Sequence, residues 1–276
     1  MPELPEVEVI CRGIRPHLLG RSIEKISHNG KMLRLPVPVD AMRLHLVGRE
    51  IVEVKRRAKY LQIIADNGTI LIIHLGMTGN LSFFGPDTPP ARHDHVHLLL
   101  DNDLELRYND TRRFGSLHIL TGHEAEDIET TFFSTTGPEP FSTAFSPEYL
   151  VNLARGRVMP VKSFLMTNQI VAGVGNIYAN ESLFQAAISP QRPISTISRT
   201  SWQHLITCIR QILSQAIECG GSTISDFVNV SKESGYFQMN FQVYGRKGQP
   251  CKRCIAEINK SQIGGRASYY CPKCQK

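Results

Sequence analysis

The sequence has no apolar run long enough to cross a bilayer and no segment resembling a secretion signal. The longest apolar stretches, such as Thr69–Leu75, are far shorter than the roughly 20 residues that a spanning helix needs. The first ten residues, MPELPEVEVI, are acidic where a secretory signal is basic, and no apolar segment follows them. We therefore expect a cytoplasmic protein and exclude a membrane protein.

Internal repeats and low-complexity tracts are also absent. The 276 residues are 41% hydrophobic and 20% charged, which is an ordinary globular composition. This composition excludes a mainly disordered, collagen-like or coiled-coil chain. The length allows two domains, or one large domain with an appendage.

Negative charge is in deficit, since 31 Lys and Arg face 25 Asp and Glu. The excess is clustered: residues 245–276 hold eight basic side chains against one acid, and a second basic cluster, KRRAK, spans 55–59. A charge cluster can simply be a solvated face. Two clusters in an otherwise balanced chain favour a polyanionic partner.

The first half of the chain reads as one helix followed by a β domain. Residues 3–19 have helical periodicity, with Pro2 expected at the first turn and Gly20 ending the helix. From there to about 121, seven or more short β-rich segments alternate with turn residues and have no helices between them. This pattern predicts an antiparallel sandwich or barrel.

Beyond residue 133 the period becomes helical. We predict an α+β protein in which 1–133 form the β-sandwich domain with its leading helix, and 134–147, rich in Ser, Thr, Pro and Gly, form a linker. Residues 148–242 are predicted to form a helical domain with a loop at 220–238, and 243–276 a small metal module.

Four cysteines near the end of the chain have metal-ligand spacing. Cys251 and Cys254 form one CxxC pair, Cys271 and Cys274 form another, and sixteen residues separate the pairs. Four thiolates arranged as a tetrahedron leave no position for water, so this spacing predicts one structural Zn²⁺. Two disulfides or a redox pair are the alternatives, and both fit a cytoplasmic chain poorly.

A glycine-rich turn at 172–175 separates two helical segments in MTNQIVAGVGNIYANESLF. Asn176 opens the second segment and is a good N-cap residue. The exposed N–H groups of such a helix start can bind a phosphate. An ordinary helical hairpin is the alternative interpretation.

Pro2 becomes the terminal residue if Met1 is removed. A terminal amine is roughly 10% neutral at pH 7, whereas an ordinary lysine is roughly 0.04% neutral. A secondary amine forms an iminium ion that has no N–H to lose, and this ion draws electrons toward itself in β-elimination. Glu3 could act as the general acid. Alternatively, the Met-Pro start has no catalytic meaning.

Together these segments resemble the formamidopyrimidine-DNA glycosylase family, bacterial enzymes that excise 8-oxoguanine and cleave abasic sites. The resemblance covers essentially the whole chain, from MPELPEVE to YYCPKC. It rests on these motifs: RRAKYL (56–61), HLGMTG (74–79), HDHV (93–96), DTRRFG (110–115), GPEP (137–140), GVGNIYANE (173–181), GGSTISDF (220–227), VYGRKGQPC (243–251) and the four cysteines.

The resemblance implies a catalytic role for four residues. Pro2 is similar to the nucleophile that attacks C1′ and forms a Schiff base, and Glu3 to the acid that donates a proton and opens the ribose. Lys59 is similar to a lysine that donates a proton in β-elimination. Arg266 is similar to the zinc-finger arginine that holds a phosphate and assists δ-elimination. The implied product is a one-nucleotide gap with phosphate at both ends.

The resemblance also implies how the DNA is held. Three residues match those that fill the space left in the DNA duplex after the damaged base is extruded: Met77, Arg112 and Phe114. Of these, Arg112 is the one implied to hydrogen-bond the unpaired base. A helix-two-turn-helix domain and a zinc finger are implied for the C-terminal half. The implied phosphate contacts are His93, Arg157, Lys162, Asn176 and Arg266.

The loop at 220–238 is similar to the one that closes over the extruded purine. Its SKESGYF half departs from the family's commoner DG-x-x-GYF pattern, which leaves loop rigidity and lesion preference open. The implied partner is duplex DNA that contains oxidised purines. The resemblance also implies a monomer that has no small-molecule cofactor and that binds DNA at the nucleoid, in the bacterial cytoplasm. The alternatives are an endonuclease VIII-like enzyme for oxidised pyrimidines and a non-catalytic zinc-ribbon DNA-binding protein.

Overall fold

The computed structural model describes residues 2–222 and 241–276, which divide into two compact units. Among these residues, the first unit contains 2–134 and 219–222, and the second contains 135–218 and 241–276. The predicted division into four segments stays a prediction. Most of the predicted loop, residues 223–238, lies outside the described residues.

The first unit begins with helix α1 (Leu4–Leu18), whose apolar stripe is fully buried. Glu3 is the N-cap residue, so Pro2 lies just before the helix and not in its first turn. Glu6, at the third helical position, accepts a hydrogen bond from the Glu3 backbone N–H at 2.9 Å. This bond satisfies an N–H that would otherwise have no partner at the helix start.

Two four-stranded antiparallel sheets follow, as the sequence predicts. Their strands are β1 (Ile23–His28), β2 (Ile51–Arg57), β3 (Tyr60–Ala65), β4 (Ile70–His74), β5 (Gly79–Phe84), β6 (Asp94–Leu100), β7 (Glu105–Asp110) and β8 (Ser116–Leu120). One sheet has the order β1-β6-β7-β5 and the other β2-β3-β4-β8. Side chains from α1 and from both sheets share one buried apolar cluster, so the sheets form a sandwich.

Three short helices of this unit are absent from the sequence prediction. They are α2 (Val39–Leu46), α3 (His123–Glu126) and α4 (Ile128–Thr131). Each has eight residues or fewer, so helical periodicity hardly repeats within it. Short helices of this kind depend on tertiary packing.

The second unit is helical and ends in a hairpin. Its elements are α5 (Pro147–Ala154), α6 (Val161–Leu165), α7 (Asn176–Gln185), a 3₁₀ turn (Ile194–Thr196), α8 (Arg199–Glu218), β9 (Asn259–Ile263) and β10 (Arg266–Tyr270). Trp202 of α8 is fully buried against Phe164 of α6. Within the described ranges no helix has the length and apolar character that crossing a membrane requires.

Candidate active site and nucleic-acid interface

Pro2 and Glu3 lie side by side at the start of α1, and both are buried. Because α1 packs its apolar face into the sandwich core, the N-terminal segment is held on a rigid element. Pro2 follows Met1 directly in this chain, so a free amine on Pro2 requires removal of Met1. The segment can then present a secondary amine beside a carboxyl group.

Glu6 joins this segment to a distant part of the chain, which the sequence analysis missed. Its carboxylate is 2% exposed, and one oxygen accepts the Glu3 N–H. The other oxygen accepts the backbone N–H of Ser222 at 2.8 Å and its hydroxyl at 2.7 Å. The three-residue spacing of Glu3 and Glu6 was a visible capping signal, but the contact with Ser222 spans 216 positions.

Lys59 lies in the tight turn between β2 and β3, where Ala58 has a positive φ of 54°. This turn is fastened to α1: Arg56 donates to Glu8 at 2.9 Å and to the Ala58 carbonyl at 2.9 Å. Burial opposes ionisation of Glu8, but hydrogen bonds from Arg12 and Arg56 outweigh it and hold the Glu8 pKa below its usual value. The Lys59 turn and the N-terminal helix are thus tied together by an ion pair.

His74, at the end of β4, is a second residue that the sequence analysis missed. Burial, followed by the positive charges of Lys59 and Arg34, lowers the pKa of His74 to about 4. Its ring is therefore neutral at physiological pH. The Gly76 N–H donates to Nδ1 at 3.2 Å, so the ring proton resides on Nε2. A neutral imidazole near Lys59 favours a hydrogen-bonding role for His74. Its place in the HLGMTG motif was the available signal.

Met77, Arg112 and Phe114 occur on two adjacent turns, 75–78 and 111–115. Arg112 is exposed, Met77 is half-buried, and the Phe114 side chain is 45% exposed. The Arg112 guanidinium carbon lies 4.8 Å from the centre of the Phe114 ring. An exposed aromatic ring beside an exposed guanidinium offers two flat groups that suit stacking against bases. Residues 75–78 and 111–115 are called the wedge turns below.

His93 immediately precedes β6 and is half-buried. Its carbonyl accepts the Asp110 backbone N–H at 3.1 Å, which places it beside the second wedge turn. The imidazole ring lies 6.5 Å from that of His95, centre to centre. His93 therefore belongs to the same surface region of the first unit as Arg112.

In the second unit, Arg157 and Arg266 are both exposed. Arg266 opens β10 directly after the turn Gly264–Gly265. That turn approaches α6 closely, because a Cβ built on Gly264 would lie 2.8 Å from the Ser163 hydroxyl. The close approach fixes the position of the Arg266 backbone while its side chain remains available to an anion.

Asn176 is the first residue of α7, and the N-cap position belongs to Gly175, which corrects the sequence prediction. The Asn176 carbonyl accepts from the Asn180 amide at 2.6 Å, and Asn180 in turn accepts the Tyr269 N–H at 2.7 Å. The start of α7 is therefore tied to β10, the strand that Arg266 opens. A half-buried Asn176 at a helix start remains compatible with a phosphate contact.

Lys162 has a different environment from the one expected of a phosphate contact. Its side chain is fully buried, and the ammonium donates to the Ala267 carbonyl at 2.7 Å and to the Ser268 hydroxyl at 2.6 Å. These bonds connect α6 to β10. A buried ammonium with these two hydrogen bonds is enclosed by protein, which favours a structural role for Lys162. The phosphate contact implied for Lys162 stays a prediction.

The four cysteines converge at the ends of the hairpin. Their sulfur atoms all lie within 4.8 Å of one another, with Cys251 and Cys274 at 3.9 Å and Cys254 and Cys271 at 3.4 Å. Sulfurs bound to one tetrahedral zinc at 2.3 Å are about 3.8 Å apart. The cluster therefore fits one Zn²⁺, and it uses all four ligand positions, which makes the metal structural.

Domain profiles define the class of protein to which this fold and these sites belong. The formamidopyrimidine-DNA glycosylase N-terminal domain matches residues 1–117, and the H2TH domain of the same enzymes matches 136–228. A zinc finger found in these glycosylases and in isoleucyl-tRNA synthetases matches 248–276. The fold and site are those of a zinc-finger DNA glycosylase.

Individual proteins agree over the full length. Formamidopyrimidine-DNA glycosylases of Methylococcus capsulatus and Hahella chejuensis are 48% and 46% identical, with complete coverage of both chains. A Lactococcus lactis Fpg mutant bound to Fapy-dG-containing DNA matches with a TM-score of 0.90 at 32% identity, covering all of both chains. The Thermus thermophilus MutM (Fpg) protein matches with a TM-score of 0.85 at 35% identity, covering 99% and 98%. The chain belongs to the formamidopyrimidine-DNA glycosylase family.

Proposed function

We propose that this protein removes oxidised purines from duplex DNA and then cleaves the abasic strand, using the N-terminal proline as its nucleophile. Its DNA partner and its bifunctional glycosylase and lyase activity follow from the family. The observation that carries the residue assignment is the placement of Pro2 and Glu3 at the start of α1, with the Lys59 turn fastened to that helix through Glu8 and Arg56.

The first half of the reaction exchanges one bond at C1′ for another. The Pro2 nitrogen attacks C1′, and the N-glycosidic bond breaks with its electron pair leaving on the base, which takes up the proton that the Pro2 nitrogen loses. Glu3 donates a proton to the ribose ring oxygen, the ring opens, and the nitrogen becomes an iminium ion. A proline iminium keeps its positive charge because it has no N–H to lose.

The second half breaks the strand on both sides. Loss of a C2′ proton sends electrons into the iminium, and the 3′-phosphate leaves in β-elimination; Lys59 supplies a proton during this step. A second elimination expels the 5′-phosphate, with Arg266 holding the phosphate. Hydrolysis of the remaining imine frees the enzyme, and the product is a one-nucleotide gap.

Access to the base requires extrusion, which costs a few kcal/mol of unstacking and unpairing. The exposure of Phe114 and Arg112 supports their insertion, with Met77, into the space that the base vacates.

The DNA backbone is held by phosphate contacts in this proposal, and these are supplied by His93, Arg157, Asn176 and Arg266. The zinc finger, with its structural Zn²⁺, holds the hairpin that carries Arg266. Since the substrate is chromosomal DNA, we place the enzyme at the nucleoid in the bacterial cytoplasm.

Reductive trapping tests the proposal. The protein is incubated with a duplex carrying one 8-oxoguanine opposite cytosine, borohydride is added, and the cross-linked peptide is mapped by mass spectrometry. Borohydride traps only an imine, so we expect the cross-link at residue 2 and a much weaker one in the Pro2→Gly variant. Mass spectrometry of the untreated protein verifies removal of Met1.

Other results would redirect the assignment. A cross-link on Lys59 would keep the reaction and overturn the role of Pro2. Cross-linking with an oxidised pyrimidine but not with 8-oxoguanine would indicate an endonuclease VIII-like preference, a reaction worth testing because the Lactococcus lactis enzyme was solved with such DNA. Tight binding without any cross-link would indicate a non-catalytic DNA-binding protein.

A further inference from the structure

The carboxylate of Asp110, at the end of β7, is fully buried at the base of the wedge turns. One oxygen accepts the Thr78 hydroxyl at 2.5 Å and the Arg112 backbone N–H at 3.2 Å. The other accepts the Gly115 backbone N–H at 2.9 Å and the Tyr108 hydroxyl at 3.2 Å. One carboxylate therefore holds Thr78, which follows Met77, and Gly115, which follows Phe114, as well as Arg112 itself.

The two wedge turns also share a hydrogen bond directly. The Arg112 N–H, besides pointing at Asp110, lies 3.0 Å from the Thr78 hydroxyl. The Asp110 backbone is fixed as well, because its carbonyl lies 2.8 Å from Nε2 of the fully buried His95. The backbone that carries the carboxylate is thus anchored on the sheet.

Close packing removes the remaining freedom of the two turns. A Cβ on Gly76 would lie 2.4 Å from the Gly115 nitrogen, and a Cβ on Gly115 would lie 1.7 Å from the Tyr108 hydroxyl oxygen. The backbones of the turns are therefore in direct contact, with Tyr108 and Asp110 filling the space beneath them. Such an arrangement moves as one body or not at all.

We propose that Asp110 is a positioning residue that holds Met77, Arg112 and Phe114 as one preformed wedge for base extrusion. This proposal rests on the proposed function, in which those three side chains fill the vacated space. Asp110 acts through them and never touches DNA. A preformed wedge lowers the ordering cost of inserting three side chains at once, so it speeds extrusion and not the chemistry at C1′.

The Asp110→Asn substitution tests the carboxylate with little change in volume. Four donors converge on its two oxygens, and an amide NH₂ would face at least one of them donor to donor. We expect single-turnover excision of 8-oxoguanine from a duplex to fall about 10- to 100-fold. Borohydride trapping on a single-stranded abasic oligonucleotide needs no extrusion and should stay within about twofold of wild type.

Asp94→Asn is the matched control. Asp94 is 4% exposed on the adjacent strand β6. Its carboxylate accepts the Ala91 N–H at 2.8 Å and the Asn109 amide at 2.7 Å and lies 3.6 Å from Arg107, and it accepts no hydrogen bond from the wedge turns. We expect Asp94→Asn to leave the ratio of duplex excision to single-strand trapping unchanged. If this ratio fell by a similar factor in Asp94→Asn and in Asp110→Asn, any buried carboxylate of the sheet would have the effect, and the proposal would be overturned.

Thr78 provides a second pair of variants in case Asp110→Asn does not fold. Thr78→Val removes one of the four donors and should lower the same ratio by a smaller factor, while Thr78→Ser keeps the hydroxyl and should restore it. Equal losses in excision and trapping, or no loss in either, would overturn the positioning role. Wild-type protein that neither excises nor cross-links would instead refute the proposed function itself.

Discussion

The wedge turns and the cysteine hairpin are both small surface features, yet they are stabilised by opposite means. The wedge turns lie on an eight-stranded sandwich, and one buried carboxylate with four hydrogen-bond donors organises them. The hairpin has two strands of five residues each, and its apolar cluster consists largely of the cysteines and their neighbours. A two-stranded hairpin is marginal alone in water, so it needs the metal. Hydrogen bonds suffice where a large core already supports the backbone.

Zinc removal should have the largest effect and should separate the two regions. Structural zinc contributes about 10–16 kcal/mol in zinc-finger peptides, so chelation or Cys251→Ser should unfold the hairpin and abolish tight DNA binding. The sandwich should keep its cooperative unfolding transition, because its core shares no residue with the cysteine cluster. Circular dichroism melting and an electrophoretic mobility shift assay measure the two effects. Full DNA affinity in metal-free protein would show that the hairpin does not depend on its metal.

Gly115→Ala should be the strongest disruption of the wedge turns. The added Cβ would lie 1.7 Å from the Tyr108 hydroxyl oxygen and 2.7 Å from the His74 carbonyl oxygen, and neither can retreat easily. We expect a loss of about 3 kcal/mol in the free energy of unfolding. Gly85→Ala is the control, since a Cβ there meets nothing within 4 Å and should change stability by less than about 0.5 kcal/mol. Urea denaturation of both variants gives the comparison; equal stabilities would show that the turns are not tightly packed.

Acid should weaken the wedge region through His74. Its pKa is about 4 in the folded protein and about 6.5 when unfolded, so the unfolded chain binds the extra proton first as the pH falls. This contribution to stability is complete above pH 6.5 and is lost toward pH 4, with a total of about 3 kcal/mol. Protonation of Nδ1 would also remove the acceptor for the Gly76 N–H. His74→Asn should flatten the pH dependence of urea unfolding between pH 7 and 4.5; an unchanged slope would exclude His74 as its cause.

The smallest expected effect is a difference between Lys162 and Arg157, two residues of the second unit, in the salt dependence of DNA binding. Arg157→Ala should reduce the slope of log Kd against log salt by about one, as expected for the loss of one phosphate contact. Lys162→Met should leave that slope unchanged and lower the free energy of unfolding by about 1–3 kcal/mol, because the Ala267 carbonyl and the Ser268 hydroxyl lose their donor. Binding titrations across a salt series decide the matter. A reduced slope for Lys162→Met would restore its role as a phosphate contact.

Lys162 also illustrates where sequence reasoning stops. A lysine in a basic protein is normally assigned to the surface, and nothing within VKSFLM signals that its ammonium is enclosed by a strand more than a hundred residues later. The prediction of Asn176 as the N-cap residue was wrong by one position, because the choice between Gly175 and Asn176 depends on where the helical dihedral angles begin. The sandwich, the leading helix and the four-cysteine cluster were predictable because strand alternation, helical periodicity and ligand spacing are local patterns.

The sequence by itself determined the family and the zinc site, because each depends on residue types at short or fixed spacings. The chemistry of the N-terminus, which the sequence also predicts, stays a prediction. Only the tertiary structure decided what surrounds Glu6, His74, Asp110 and Lys162. Packing within each unit brings their hydrogen-bond partners to them. Glu6, Asp110 and Lys162 are buried and hydrogen-bonded, and burial keeps the His74 ring neutral. The charge and hydrogen-bonding capacity of a side chain are written in the sequence, but the dielectric and the partners around it are not.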